Sequence, residues 1–173
     1  QIEPLGVVVP RSAEDVRRTI EIATQAGAPV LARGGGTSQC GQTVGRAVVV
    51  DVSKHLDRVV VFEAGLRAVT VEPGITLDRL NAFLKPHGLW FPVDISTGDR
   101  ATLGGMAGNN SCGTRSLRYG TMRDNVRAIH ALLPDGRAAR FGEVPWDADP
   151  ARLPAEFGAL VSRLFALGHR EAD

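Results

Sequence analysis

The 173 residues include 20 basic and 19 acidic side chains, for a formal net charge of +1. Hydrophobic residues make up 43%, charged residues 23% and aromatics 5%, enough for one ordinary globular core or two small lobes sharing an interface. Such a balance provides no global field to gather nucleic acid or an anionic membrane, and few rings for base stacking, so no nucleic-acid partner is expected.

"VVVP" at 7–10 reads as a short strand closed by proline. Ser12, with Asp15 three residues on, forms a capping box for a helix in which Val16, Ile20 and Ala23 recur and which Gly27 stops. "PVLA" at 29–32 is a second strand, followed at once by "RGGGTSQCGQ" at 33–42. "AVVVDV" at 47–52 shows no polar alternation and reads as a strand buried on both faces. Together these indicate a small α/β unit with parallel pairing. "RVVVFEAGLRAVTVEPG" at 58–74 reads as a hairpin around Ala64-Gly65, and Thr76 opens a helix carrying Leu77, Leu80 and Leu84 that ends at Gly88. Residues 91–124 lack periodicity and are expected to be irregular and functional. "NVRAIHALLPDGRAARFG" gives two strands around a Pro134-Asp135-Gly136 turn. Residues 143–154 form a connector before a closing helix marked by Phe157, Leu160, Val161 and Leu164.

Beginning at Gln1 and stopping at "GHREAD", the chain is expected to be a piece of something longer. No apolar run approaches the ~20 residues that cross a bilayer, so no transmembrane segment is expected. Cys40 and Cys112 lie far apart in no metal-binding spacing and are expected as free thiols, Cys112 as a small buried filler. His55, His87 and His169 read as solvated surface residues and His130 as a satisfied sheet residue. Arg115, Arg118, Arg123 and Arg127 form a basic run, a solvated or inter-lobe face with anionic-substrate steering as the alternative.

The stretch 33–42 fits neither familiar phosphate loop. A P-loop needs Lys and Ser/Thr after its last glycine, and Gln42 follows Gly41. The GxGxxG fingerprint needs glycine where Gln39 stands. Two readings remain open for this loop alone: a turn, or a nest of backbone N–H groups aided by Thr37, Ser38 and the charge of Arg33. A second segment, "ATLGGMAGNNSCGTRSLRYG" at 101–120, again combines paired glycines, small residues and amides. Two such segments suit an extended ligand of the dinucleotide kind.

The order "PVLARGGGTS", "VEPGITL", "FPVDIST", "ATLGGMAGNNSCG" and "RYGTMRDNV", spread over residues 5–142, resembles the FAD-binding domain of the vanillyl-alcohol-oxidase-type (PCMH-type) FAD-linked oxidases. Within them it is most similar to the D-2-hydroxy-acid dehydrogenases, the group of glycolate oxidase, D-lactate dehydrogenase and D-2-hydroxyglutarate dehydrogenase. The resemblance implies an α+β fold of two lobes, a small parallel-sheet lobe at 1–56 and a larger, mostly antiparallel one at 57–173, with FAD extended between them. It implies that Arg33, Gly34, Gly35, Gly36, Thr37 and Ser38 wrap the pyrophosphate and that Gly41 and Gln42 continue the contact. Pro92, Asp94 and Thr97 would lie along the cofactor. Thr102, Gly104, Gly105 and Asn109 would lead toward the ring system, Gly113 and Tyr119 would close the pocket, and Glu72-Pro73-Gly74 would shape the wall. Covalent members carry histidine where Thr37 stands, so FAD is expected to be non-covalent; Ala32 replaces a frequent proline. The implied activity is oxidation of a D-2-hydroxy acid to a 2-oxo acid by hydride transfer to flavin. A further glycine-rich flavin contact and, separately, a cap domain with the catalytic residues and the small-acid site are expected in the rest of the same polypeptide, in a cytoplasmic or membrane-peripheral enzyme. A non-catalytic FAD-binding module, or an oxidase or reductase of another alcohol or sugar, are the alternatives.

Overall fold

Ser12 fixes where the first helix begins. Its hydroxyl accepts a hydrogen bond from the Asp15 N–H at 3.1 Å, and the Asp15 carboxylate accepts from the Ser12 N–H at 3.0 Å. This closed box satisfies two donors that a helix start leaves open, so α1 runs Ala13–Gln25. Gly27, at φ 63°, turns the chain out of it. The computed structural model describes residues 2–145, 147–153 and 155–172, with the side chains of 150 and 155–157 outside the description.

α1 lies between β1 (Gly6–Val8) and β2 (Val30–Arg33) in sequence, and β3 (Val48–Asp51) follows. The three strands form one parallel sheet in the order β1-β3-β2, with Val49 opposite both Val7 and Leu31. The strand without polar alternation is thus the central one, and its Val49 and Val50 are buried. One crossover is α1; the other, residues 34–47, contains no helix.

β4 (Val59–Glu63) and β5 (Ala68–Val71) pair antiparallel across a 3₁₀ turn at Ala64–Leu66, where Arg67 takes the left-handed backbone at φ 49°. At the open end of this hairpin Glu72 accepts two hydrogen bonds from the Arg58 guanidinium, at 2.7 and 3.1 Å. α2 (Leu77–Leu84) presents Leu77, Leu80 and Leu84 to a core of Ile75, Val93, Ala101, Leu103, Met106 and Met122. A 3₁₀ turn at Lys85–His87 follows, and Gly88 at φ 68° ends it. β6 (Ala128–Leu132) and β7 (Ala138–Gly142) pair through the Pro134-Asp135-Gly136 turn, which the Gly136 N–H closes on the Leu133 carbonyl at 2.8 Å.

The expectation that 91–124 is irregular needs correcting. It contains α3 (Leu103–Gly108), α4 (Ser116–Tyr119) and α5 (Met122–Asn125), and it places Met106 and Met122 in the core. Helices of four to six residues are too short to show a periodic apolar stripe. The last helix spans Ala155–Arg170; Pro154 and the side chain of Phe157 lie outside the described residues, Val161 is buried, and Leu160 and Leu164 are exposed. The chain divides into two compact units, one through Phe141 and one from Gly142. Helices, a parallel sheet and antiparallel pairs make the class α+β, as expected. No helix among the described residues is long and apolar enough to cross a membrane.

Candidate functional site

β2 carries Arg33 to the end of the parallel sheet, and the first glycine segment starts there. From Gly35 to Thr43 no backbone N–H donates to a protein acceptor among the described residues, so a run of strong donors is unpaired. Arg33 does not stand at the loop edge as a free charge. Its Nη1 donates to the Thr43 carbonyl at 3.2 Å, and its guanidinium occupies the space beside Gly36, 2.5 Å from where a Cβ would lie. Gly36 sits at φ 65°, the left-handed backbone that disfavours a side chain there, and a side chain would also displace the Arg33 guanidinium. Arg33 is therefore a strut for the loop.

The second glycine segment lies directly against the first. A Cβ on Gly34 would come 2.0 Å from Thr102 Oγ1, and one on Gly35 would come 2.1 Å from the Arg100 carbonyl oxygen. Thr102 is 2% exposed, and its hydroxyl has no hydrogen-bond partner, the single such buried side-chain atom among the described residues. Behind α3, the Gly104 N–H donates to the Pro73 carbonyl at 2.9 Å, which places Glu72-Pro73-Gly74 along its back. On the open side, a Cβ on Gly108 would meet nothing within 4 Å. At the tip, Gln42 Nε2 donates to Ser38 Oγ at 2.6 Å and to Asn109 Oδ1 at 3.2 Å. Arg33–Ser38, Gly41, Gln42, Thr102, Gly104, Gly105 and Asn109 thus share one neighbourhood.

The remaining predicted residues form a second group. Asp94 accepts from Thr114 Oγ1 at 2.7 Å and from the Arg115 N–H at 3.0 Å, while a Cβ on Gly113 would fall 1.3 Å from the Asp94 carbonyl oxygen. The Thr97 carbonyl accepts from the N–H groups of Arg100 and Ala101, closing the turn that leads into α3. Pro92 and Tyr119 line a cavity of about 420 Å³ with Phe62, Leu84, Leu89 and Trp90, and no residue of the first glycine segment reaches it. The Trp90 and Tyr119 rings meet edge to face at 5.3 Å, and Arg115 lies over the Trp90 ring at 5.1 Å.

Several expectations change on this geometry. Cys112 is exposed, as is Cys40, and both are free thiols. His87 packs against the Phe62 ring at 4.4 Å although it is exposed. Within the basic run, Arg115 is engaged by Asp94 and Trp90, and Arg127 donates to the Leu66 carbonyl at 2.9 Å. The sequence reading missed Asn110, whose Oδ1 accepts from Thr121 Oγ1 and the Arg123 N–H and so pins α5 beside α3. Its signal was available: asparagine is the usual non-glycine residue for a left-handed position, and its φ is 46°.

Across residues 4–142 the sequence matches the model of the FAD binding domain. The chain belongs to this family. The D-2-hydroxyglutarate dehydrogenase of Pantoea ananatis is 40% identical to it over 148 residues, covering 84% of this chain and 14% of that protein. The mitochondrial D-lactate dehydrogenase [cytochrome] 1 of Saccharomyces cerevisiae is 34% identical over 146 residues, covering 82% of this chain and 24% of that protein. Among solved structures, an alkyldihydroxyacetonephosphate synthase superimposes with a TM-score of 0.70 at 24% identity, over 80% of this chain and 28% of that one, a likeness of fold.

The FAD binding domain offers groups that fit its cofactor: unpaired amide donors, room for close approach at Gly41 and Gly105, and the unpartnered Thr102 hydroxyl between the two segments. Asp94 ties the domain's second group together as a carboxylate. The Thr114 hydroxyl first, then the Arg115 N–H, holds its carboxyl below the ordinary range. A carboxyl depressed on folding contributes stability above its unfolded pKa near ~3.9, which is lost as pH falls through the lower folded value. Melting temperature measured at descending pH below about 5 should therefore fall less steeply in Asp94→Asn than in the parent. Parallel curves would exclude this role.

Proposed function

We propose that the chain is the FAD-binding portion of a flavin-dependent dehydrogenase that oxidises a D-2-hydroxy acid to a 2-oxo acid, with lobes 1–56 and 57–173 holding the cofactor between them. The observation that carries the reading is the abutment of two glycine segments around unpaired amide donors and an unpartnered buried hydroxyl. The relatives' names support the substrate class, though the chain covers only 14% of the D-2-hydroxyglutarate dehydrogenase and 24% of the D-lactate dehydrogenase.

In this reading the N–H groups of Gly34 to Ser38, with the Thr37 and Ser38 hydroxyls, receive the pyrophosphate, and Gly41 and Gln42 complete that side. Preorganised donors of this kind bind a diphosphate without a lysine because they need no reorientation. Thr102 donates its free hydroxyl, Gly104 seats α3 against Pro73, Gly105 lets the cofactor approach that helix, and Asn109 bounds the far end. Pro92, Asp94, Thr97, Gly113 and Tyr119 shape the adjoining wall and exclude water from it. FAD, when bound, supplies the hydride acceptor. Thr37 offers no imidazole for a covalent link, so the cofactor is held by these contacts alone. The groups that take the substrate's proton and hold its carboxylate belong to a cap domain on the same polypeptide, in a cytoplasmic enzyme.

Reconstitution of the purified chain with FAD should yield a flavin spectrum, and acid precipitation should leave the flavin in the supernatant. In the whole enzyme, D-2-hydroxyglutarate or D-lactate should bleach that spectrum anaerobically. No flavin uptake overturns the binding reading, flavin in the acid pellet overturns the non-covalent one, and bleaching by neither acid overturns the substrate class.

A further inference from the structure

We propose that Gln42 is a positioning residue, a clasp that sets the spacing of the two glycine segments before FAD arrives. The inference rests on the reading of these segments as the FAD cradle, and it assigns Gln42 a task other than touching phosphate. The cradle is held at its root by sterics, where Gly34 meets Thr102 and Gly35 meets the Arg100 carbonyl. Beyond the root, the backbone donors from Gly35 to Thr43 have no acceptor among the described residues, Gly36 and Gly41 adopt φ 65° and 86°, and a Cβ on Gly41 would meet nothing within 4 Å. The Arg33 side chain props Thr43 within the loop but does not tie its tip to the second segment, and a glycine-rich span keeps high conformational freedom there unless something fixes it.

Gln42 supplies that fixing. A side-chain amide nitrogen carries two hydrogens. Here Nε2 has two acceptors, one in each segment: Ser38 Oγ at 2.6 Å in its own loop, and Asn109 Oδ1 at 3.2 Å, 67 residues away at the end of α3. With both hydrogens engaged by protein, this nitrogen has none left for a phosphate oxygen. Its effect on FAD is therefore indirect, through a cradle already at the right width.

The chain contains its own reporters, since its two cysteines, Cys40 and Cys112, are free, exposed and placed one in each segment. Spin labels on this pair read the separation of the segments by dipolar coupling. Without FAD, the full chain should give a narrow distance distribution. Gln42→Ala and Asn109→Ala should each broaden it, and the double variant should broaden it no further. On the unlabelled proteins each single substitution should speed FAD release about three- to tenfold, again without addition in the double variant. An unchanged distribution in Gln42→Ala overturns the clasp, and faster release with that unchanged distribution makes Gln42 a direct ligand instead. Broadening with unchanged release overturns its role toward the cofactor. If the parent takes up no FAD, the cradle reading fails by itself, and the label distances alone decide whether Gln42 joins the segments.

Discussion

Gly113→Ala should lower the stability of the chain by about 3 kcal/mol or more, the cost of forcing extra volume into a packed backbone contact. The added Cβ would fall 1.3 Å from the Asp94 carbonyl oxygen and 2.4 Å from its Oδ1. No rotamer change relieves a clash with backbone, so residues 92–95 and 112–116 must separate. The hydrogen bonds from Thr114 and Arg115 to Asp94 are then lost with the contact. Thermal unfolding should show a midpoint about 6–12 °C below the parent. Gly108→Ala is the control, since Gly108 lies in α3 where a Cβ would meet nothing within 4 Å, and alanine there should be neutral or stabilising by up to about 1 kcal/mol. Equal midpoints for the two variants would mean that the 92–95 and 112–116 segments do not meet as described.

Gly35→Ala should weaken FAD binding about 100-fold, corresponding to ~2.7 kcal/mol of strain at the root of the cradle. Its Cβ would lie 2.1 Å from the Arg100 carbonyl oxygen and 2.9 Å from the carbonyl carbon. The half-exposed loop can relieve this by lifting away from the turn before α3. The parallel sheet and the Leu80 core are untouched, so most of the folding free energy stays. Lifting the loop, however, parts the unpaired donors of the first segment from Thr102. Titration of apoprotein with FAD, followed by flavin fluorescence, measures the loss. Parental affinity in a folded Gly35→Ala protein would show that binding does not need the segments to abut.

The two glycine predictions also mark what the linear sequence can and cannot convey. Local signals carried much of the fold. The Ser12–Asp15 box, the polar-free β3 run and the Leu77/Leu80/Leu84 stripe each depend on residues within one element. Between α3 and α5 the one such signal is the Thr121–Asp124 capping box that opens α5; the rest of their order comes from partners outside each element. The Leu103 N–H bonds the Ile75 carbonyl and the Met122 N–H bonds the Ser111 carbonyl. Glycine spacing announced that backbone room was needed near a ligand, but not which atom occupies that room. For Gly104 it is Pro73, for Gly113 it is Asp94 and for Gly36 it is Arg33. The same limit explains Arg33, whose charge was legible while its inward direction toward Thr43 was not.

The crossover joining β2 to β3 without a helix has a consequence for the life of the protein in a cell. An ordinary parallel crossover gains its order by burying an apolar helix face. Residues 34–47 have no such face, so their order rests on close contacts and on a few side-chain bonds, those of Arg33 and Gln42. Bound FAD adds to that small total, by about 2.7 kcal/mol at 100 times the dissociation constant. A chain loaded with FAD therefore spends less time unfolded and exposed to proteolysis than an empty one, so cofactor supply bears on how much of the protein persists.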